Sequence, residues 1–168
     1  MSKTIKIHLS ASGIRQAIKE LETYKLEIQR KTSLLVSKLA EEGFRLVTLN
    51  LGDIHFTGDL QNSVSTEVGP NRAIIQVSSE YAIYVEFGTG PKGLVNQHPD
   101  NQIGYRYNVG KTIGFYYING KLTEGWFYPG DDGIWHFTEG MPSRPFMYNS
   151  AQTLRYQSLK AIVKEVFG

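Results

Sequence analysis

The chain has 168 residues, 40% hydrophobic and 20% charged, with a net charge of +2 and no cysteine. That size and balance suit one soluble domain with room for a sizeable core. The missing cysteines exclude disulfides, thiolate metal sites and a cysteine nucleophile, and the small net charge gives no argument for nucleic acid. No apolar run is long enough to span a membrane. The start, MSKTIKIHLS, lacks the apolar core of a signal peptide, so cytoplasmic synthesis is expected. Charge is unevenly spread: residues 1–50 carry +4 (9 Lys/Arg, 5 Asp/Glu) and residues 51–168 carry −2 (9 and 11). A basic helix against an acidic remainder would help copies pack head to tail, although a solvated helix face is the plainer reading.

Residues 4–9 alternate, with Ile5, Ile7 and Leu9 opposite Lys6 and His8, which predicts a half-buried strand with His8 on its polar face. Ser12 then reads as a helix N-cap. From Ile14 the apolar positions Ala17, Ile18, Leu21, Tyr24, Ile28, Leu35, Leu39, Leu46 and Leu49 are spaced by three, four and seven, one stripe of a helix reaching about Asn50. Such a helix is long for a compact domain, so a break is expected near residues 24–26 or at Gly43. Lys25, Thr32 and Glu42 interrupt any coiled-coil seam.

Gly52 is placed to end that helix. Residues 63–68 and 73–77, joined by Gly69-Pro70-Asn71, predict an antiparallel hairpin. Next comes YAIYVEFGTG, residues 81–90. Its periodicity fits strand and helix alike, but it follows a complete strand with no turn residue, which favours one or two helical turns, with Gly88 and Gly90 freeing the backbone to turn.

Residues 91–142 hold 10 of the 20 aromatics and 9 of the 17 glycines. Residues 91–104 lack periodicity and read as a mobile loop. Short strands are expected at 105–109, 112–118, 121–128 and 134–137, with Asn119-Gly120 suited to a type I′ hairpin and residues 128–133 forming a second turn. The excursion reads as a β-meander inserted, at about 91–142, into a single domain of residues 1–168. MPSRPFMYNSA, residues 141–151, opens a final helix from Pro145 to about Phe167, whose stripe is Met147, Ala151, Leu154, Ile162 and Val166. The fold class is α+β, a long N-terminal helix and a C-terminal helix on a mainly antiparallel sheet.

The polar residues with most chemical potential are His98, Asp100, Asp131, Asp132, His136 and Glu139, types that ligate metals. Their spacing fits no metal motif, and Asp131 and Asp132 sit between Gly130 and Gly133, where a turn demands them anyway. GTGPKG at 88–93 lacks phosphate-loop spacing, and no GxSxG occurs. As stacking platforms for a nucleic acid, the aromatics of 105–137 have only Arg106, Lys111 and Lys121 interleaved, against five acids over 91–142, so packing is the more economical use.

The order YAIYVEFGTG, aromatic insertion, WHFTEGMPSRPFMYNSA, amphipathic helix resembles the tail-completion or head–tail joining family of tailed bacteriophages and prophages. Tyr81, Tyr84, Val85, Glu86, Gly88 and Thr89 match its first motif; Arg144, Pro145, Phe146 and Ala151 match its second. The insertion is long for the family. The resemblance implies a ring-forming virion protein, hexameric, at the junction of head and tail, made in the host bacterial cytoplasm. Its partners would be copies of itself, the tail tube and the neck proteins, with no catalysis, cofactor, metal, sequence-specific nucleic acid or membrane. A minor capsid or head-closure role is the near alternative. A small metal-dependent hydrolase using His98, Asp131, Asp132 and His136 is the distant one. Tyr81, Tyr84, Phe87, Arg144 and Phe146 are interface-type residues, and Glu86 would pair with a cation such as Arg144 or meet a neighbouring copy. Both runs can equally be core. The chain leaves through Gly88–Gly90 and returns through 141–145, so the two runs should touch, with Phe146 near Tyr84 or Val85.

Overall fold

The computed structural model describes residues 4–7, 9–52, 58–100, 114–130 and 132–168. The fold is α+β, with long helices at both ends of the sequence and two separate antiparallel sheets. Its contacts group into two compact units: residues 1–49, 64–76 and 151–168, and residues 50–63 and 77–150.

In the first unit α1, Ala11–Gly52, is one helix of 42 residues, about 63 Å at 1.5 Å per residue. The expected break is absent. Gly43 instead forms a notch: a Cβ there would lie 2.5 Å from Ile75 Cδ1 and 3.4 Å from Leu154, so glycine lets two neighbours close on an unbroken helix. The cap is Ser10 rather than Ser12, its Oγ accepting the Gly13 N–H at 3.1 Å and its carbonyl the Ile14 N–H at 2.9 Å. Residues 4–7 form no strand, because alternation makes a strand only where an edge is there to pair with. His8 lies outside the described residues.

The hairpin is as expected, β1 Val64–Val68 and β2 Ala73–Val77, with Gly69 N–H donating to Arg72 O at 2.8 Å. Ser33 on α1 donates to Pro70 O at the hairpin turn. The last helix, α5, runs Phe146–Thr153, a π segment Leu154–Ser158 and Leu159–Phe167 without interruption. Its first-unit part lies antiparallel to α1: Leu154 approaches Gly43, Ser158 donates to Glu42 (2.9 Å), Glu165 pairs with Lys38 (2.8 Å), and the Lys31 ammonium stands 5.9 Å from the Phe167 ring centre. Arg45 is the main cause of a Glu42 pKa below the ordinary carboxylate value, with Ser158 adding to it. Ala40, Leu46, Val47 and Val166 are buried in this unit.

The second unit holds a short α2, Gly58–Asn62, then α3 Ala82–Phe87 and α4 Gly90–Val95, followed by the meander β3 Gly114–Ile118, β4 Lys121–Pro129 and β5 Trp135–Thr138. The helical reading of residues 81–90 holds. Residues 91–95, read as loop, belong to α4, whose Pro91 suits a first turn. The strand expected at 105–109 lies outside the described residues. Asn119 (φ 51°) and Gly120 (φ 79°) make the tight turn between β3 and β4, which pair Gly114↔Gly125 through Ile118↔Lys121. Tyr116, Phe127 and Phe137 meet edge to face on one side of the sheet, with centroids 5.1–5.8 Å apart.

Among the described residues Thr66 Oγ1 is the buried side-chain oxygen or nitrogen that has no hydrogen-bond partner. Thr66→Val keeps the shape and removes the unmet group, so it should raise the unfolding free energy by about 1 kcal/mol. Urea denaturation of the two proteins checks this.

Candidate functional site

The two motif runs meet in the second unit, and one side chain joins them. At the start of α5 the residue before the helix is Pro145, which has neither a capping side chain nor an N–H. Three backbone donors follow. Phe146 N–H turns back to Arg144 O at 2.8 Å. Met147 N–H donates to Glu86 Oε2 and Tyr148 N–H to Glu86 Oε1, both at 2.9 Å. The cap that the local sequence omits therefore comes from a residue 61 positions upstream, and it carries the sign of charge a helix N-terminus prefers.

Glu86 is 7% exposed and has one more donor. His98, 5% exposed, sits 3.0 Å from Oε1 through Nε2. His98 Nδ1 lies 2.9 Å from the Asp100 N and 3.1 Å from the Asp100 O, so the Asp100 backbone holds one edge of the ring while Nε2 faces Glu86. The ring is held between Phe87 (4.4 Å between centroids) and Tyr148 (5.2 Å). His98, which the sequence places in a mobile loop, is thus a buried member of this network, with the exposed Asp100 meeting it through its backbone.

The backbones are stitched together as well. Val85 O accepts from Arg144 N–H at 2.9 Å, and Glu86 O from Ser143 Oγ at 2.6 Å, so the last carbonyls of α3 are satisfied by the segment that opens α5. Thr89 and Met141 form an antiparallel bridge, N to O in both directions, at 2.9 and 3.1 Å. Gly88, at φ 74° and ψ 176°, turns the chain between these contacts. A Cβ there would stand 2.6 Å from Ser143 N and 2.9 Å from Met141 O, so both the conformation and the space require glycine.

The expected touching of the two runs is therefore observed, with Val85 and Phe146 among the most buried apolar side chains. The Glu86 carboxylate serves His98 and two helix N–H groups, and the Arg144 backbone N–H donates to the first run. Of the interface-type residues, Phe87 and Phe146 are core, while Tyr81 is 68% and Tyr84 44% exposed. No sequence pattern marks Ser143 or His98 as a partner of the first motif run, although both bond to Glu86. The sequence carries no local signal for His98, since residues 91–104 hold no aromatic and no periodicity.

The remaining polar candidates stay apart from this network. His136 Nε2 lies 3.0 Å from the Asp132 carboxylate on an exposed turn, where the Ile134 N–H first and His136 second hold the Asp132 pKa below its ordinary value. Glu139 pairs with Lys92 at 3.5 Å. Asp131 lies outside the described residues. Among the described residues no three His, Asp or Glu side chains gather as metal ligands would, and no helix is long and apolar enough to cross a membrane. No family model, curated protein or solved structure matches the chain.

Glu86→Ala leaves two helix N–H groups and the His98 N–H without their acceptor, and should cost about 3 kcal/mol of stability. Glu86→Gln keeps one acceptor oxygen but loses the charge, and should cost roughly half as much. Urea midpoints of the three proteins check the order; equal midpoints for Glu86→Ala and wild type would refute the capping role.

Proposed function

We propose that the chain is a structural subunit of a phage or phage-like particle, forming a ring, hexameric by resemblance, that completes the tail or joins it to the head and neck. The site described above has the features of a scaffold. Its buried carboxylate is engaged by a histidine ring nitrogen and by two backbone N–H groups that anchor a helix.

The observation that carries the reading is the aromatic surface left uncovered beside that scaffold. Register puts Phe115, Tyr117, Leu122 and Tyr128 on one face of the meander, and they are 66%, 78%, 53% and 46% exposed. Trp126 on the same face is covered, standing where a Cβ on Gly90 would be. Tyr81 and Tyr84 add two more exposed rings in the same unit. Large aromatics gathered on one face are costly to leave in water and are typical of surfaces that meet another protein. Together with the order of the two motifs, this favours a ring subunit that also contacts neck or tail-tube proteins. The ring would sit at the tail–head junction of the virion after synthesis in the host bacterial cytoplasm.

Negative-stain microscopy of concentrated protein, paired with protein identification in isolated tails, tests this. Rings of uniform diameter and several copies of the chain per tail are expected. A chain that stays monomeric and is missing from purified particles would overturn the reading.

A further inference from the structure

The long helix keeps an apolar stripe that its own unit does not cover. α5 runs antiparallel to α1 and ends beside Lys31, where Phe167 meets the ammonium, and the hairpin turn reaches Ser33. The roughly twenty residues of α1 before that point extend about 30 Å further. On them Ile14, Ile18 and Leu21, at helical spacing of four and three, are 48%, 51% and 52% exposed, although Ala17 beside them is buried.

The same unit carries an open groove of about 670 Å³ between α1 and β1, lined by Ala40, Phe44, Val64, Thr66 and Val68, with Glu41 as its charged lining residue. Phe44 and Val68 are 39% and 48% exposed there. Its size is within the range of clefts that take a few large side chains.

Stripe and groove cannot meet within one chain. Ile18 and Ala40 lie on one unbroken helix and are about 33 Å apart along its axis. Charge suits one orientation of their meeting between chains: Arg15, Lys19 and Lys25 against Glu22 line one flank of the stripe, Glu20 and Glu27 lie on the other, and the groove presents Glu41.

We propose that the Ile14–Ile18–Leu21 stripe of one copy docks into the α1/β1 groove of a second copy, as an amphipathic helix seats in an apolar groove. The contact joins two different patches, so it can repeat from copy to copy and close as a ring. That repetition rests on the ring reading above; the docking itself does not.

The cysteine-free chain permits a direct test. In the double variant Ile18→Cys, Val68→Cys, mild oxidation of mixed light- and heavy-isotope protein should give a disulfide peptide joining residue 18 of one copy to residue 68 of another. Adding Leu21→Asp should reduce its yield at least tenfold while circular dichroism stays unchanged. A ladder of species beyond the dimer supports both the docking and the ring. A cross-linked product that stops at a dimer supports the docking and contradicts the ring, because it marks a reciprocal pair. Absence of the 18–68 peptide between copies overturns the docking and leaves the ring reading to other surfaces.

Discussion

The second unit depends on one buried carboxylate. Glu86 stands at the end of a short helix of six residues, too short to hold its shape alone in water. It also stands at the start of α5, which has proline where a capping side chain belongs. Each helix lacks what the other provides: α3 offers the acceptor for the first N–H groups of α5, and residues 143–144 offer donors for the last carbonyls of α3. His98 completes the set from a third segment. Burying a charge is costly unless its hydrogen bonds are met, and here both oxygens are engaged, so the cost is offset and the geometry is fixed. The excursion between the two helices is tied at its two ends by the Thr89–Met141 bridge, and once more within it by His98.

That arrangement explains how polar and aromatic residues divide their labour. The conformationally demanding positions, Gly88 and the Thr89–Met141 bridge, hold the two strands of the tie together. The aromatics inside the tie, Phe87, Tyr148 and Phe146, pack; those on the meander and at Tyr81 and Tyr84 stay in contact with solvent. In the first unit the same contrast recurs along α1, with a covered half beside α5 and the hairpin and a half whose apolar stripe is uncovered. Uncovered apolar surface in both units is what a subunit needs if its final neighbours are other chains.

Much of this was legible from local pattern. The hairpin at 64–77, the Asn119-Gly120 turn, the helix after Pro145 and the helical reading of residues 81–90 all follow from turn chemistry, proline placement or periodicity, which act over a few residues. The errors share an opposite cause. The capping of α5 by Glu86 spans 61 positions, so no local rule announces it. His98 looked mobile because its order comes from Phe87, Tyr148 and Glu86 rather than from its own neighbours. Gly43 read as a helix break because its role, admitting Ile75 and Leu154, is visible only when those residues are in place. The alternation at residues 4–9 had no means of showing whether a sheet edge would receive it.

The tie between Glu86 and α5 is tested most directly by amide hydrogen exchange at Met147 and Tyr148. These are first-turn amides, which in a helix capped only by water exchange quickly. If Glu86 holds them, they exchange as slowly as amides in the helix interior in the wild-type chain, and lose that protection selectively in Glu86→Gln while the first-unit part of α5 keeps its own. Fast exchange at both positions in the wild type would contradict the central role given to this carboxylate.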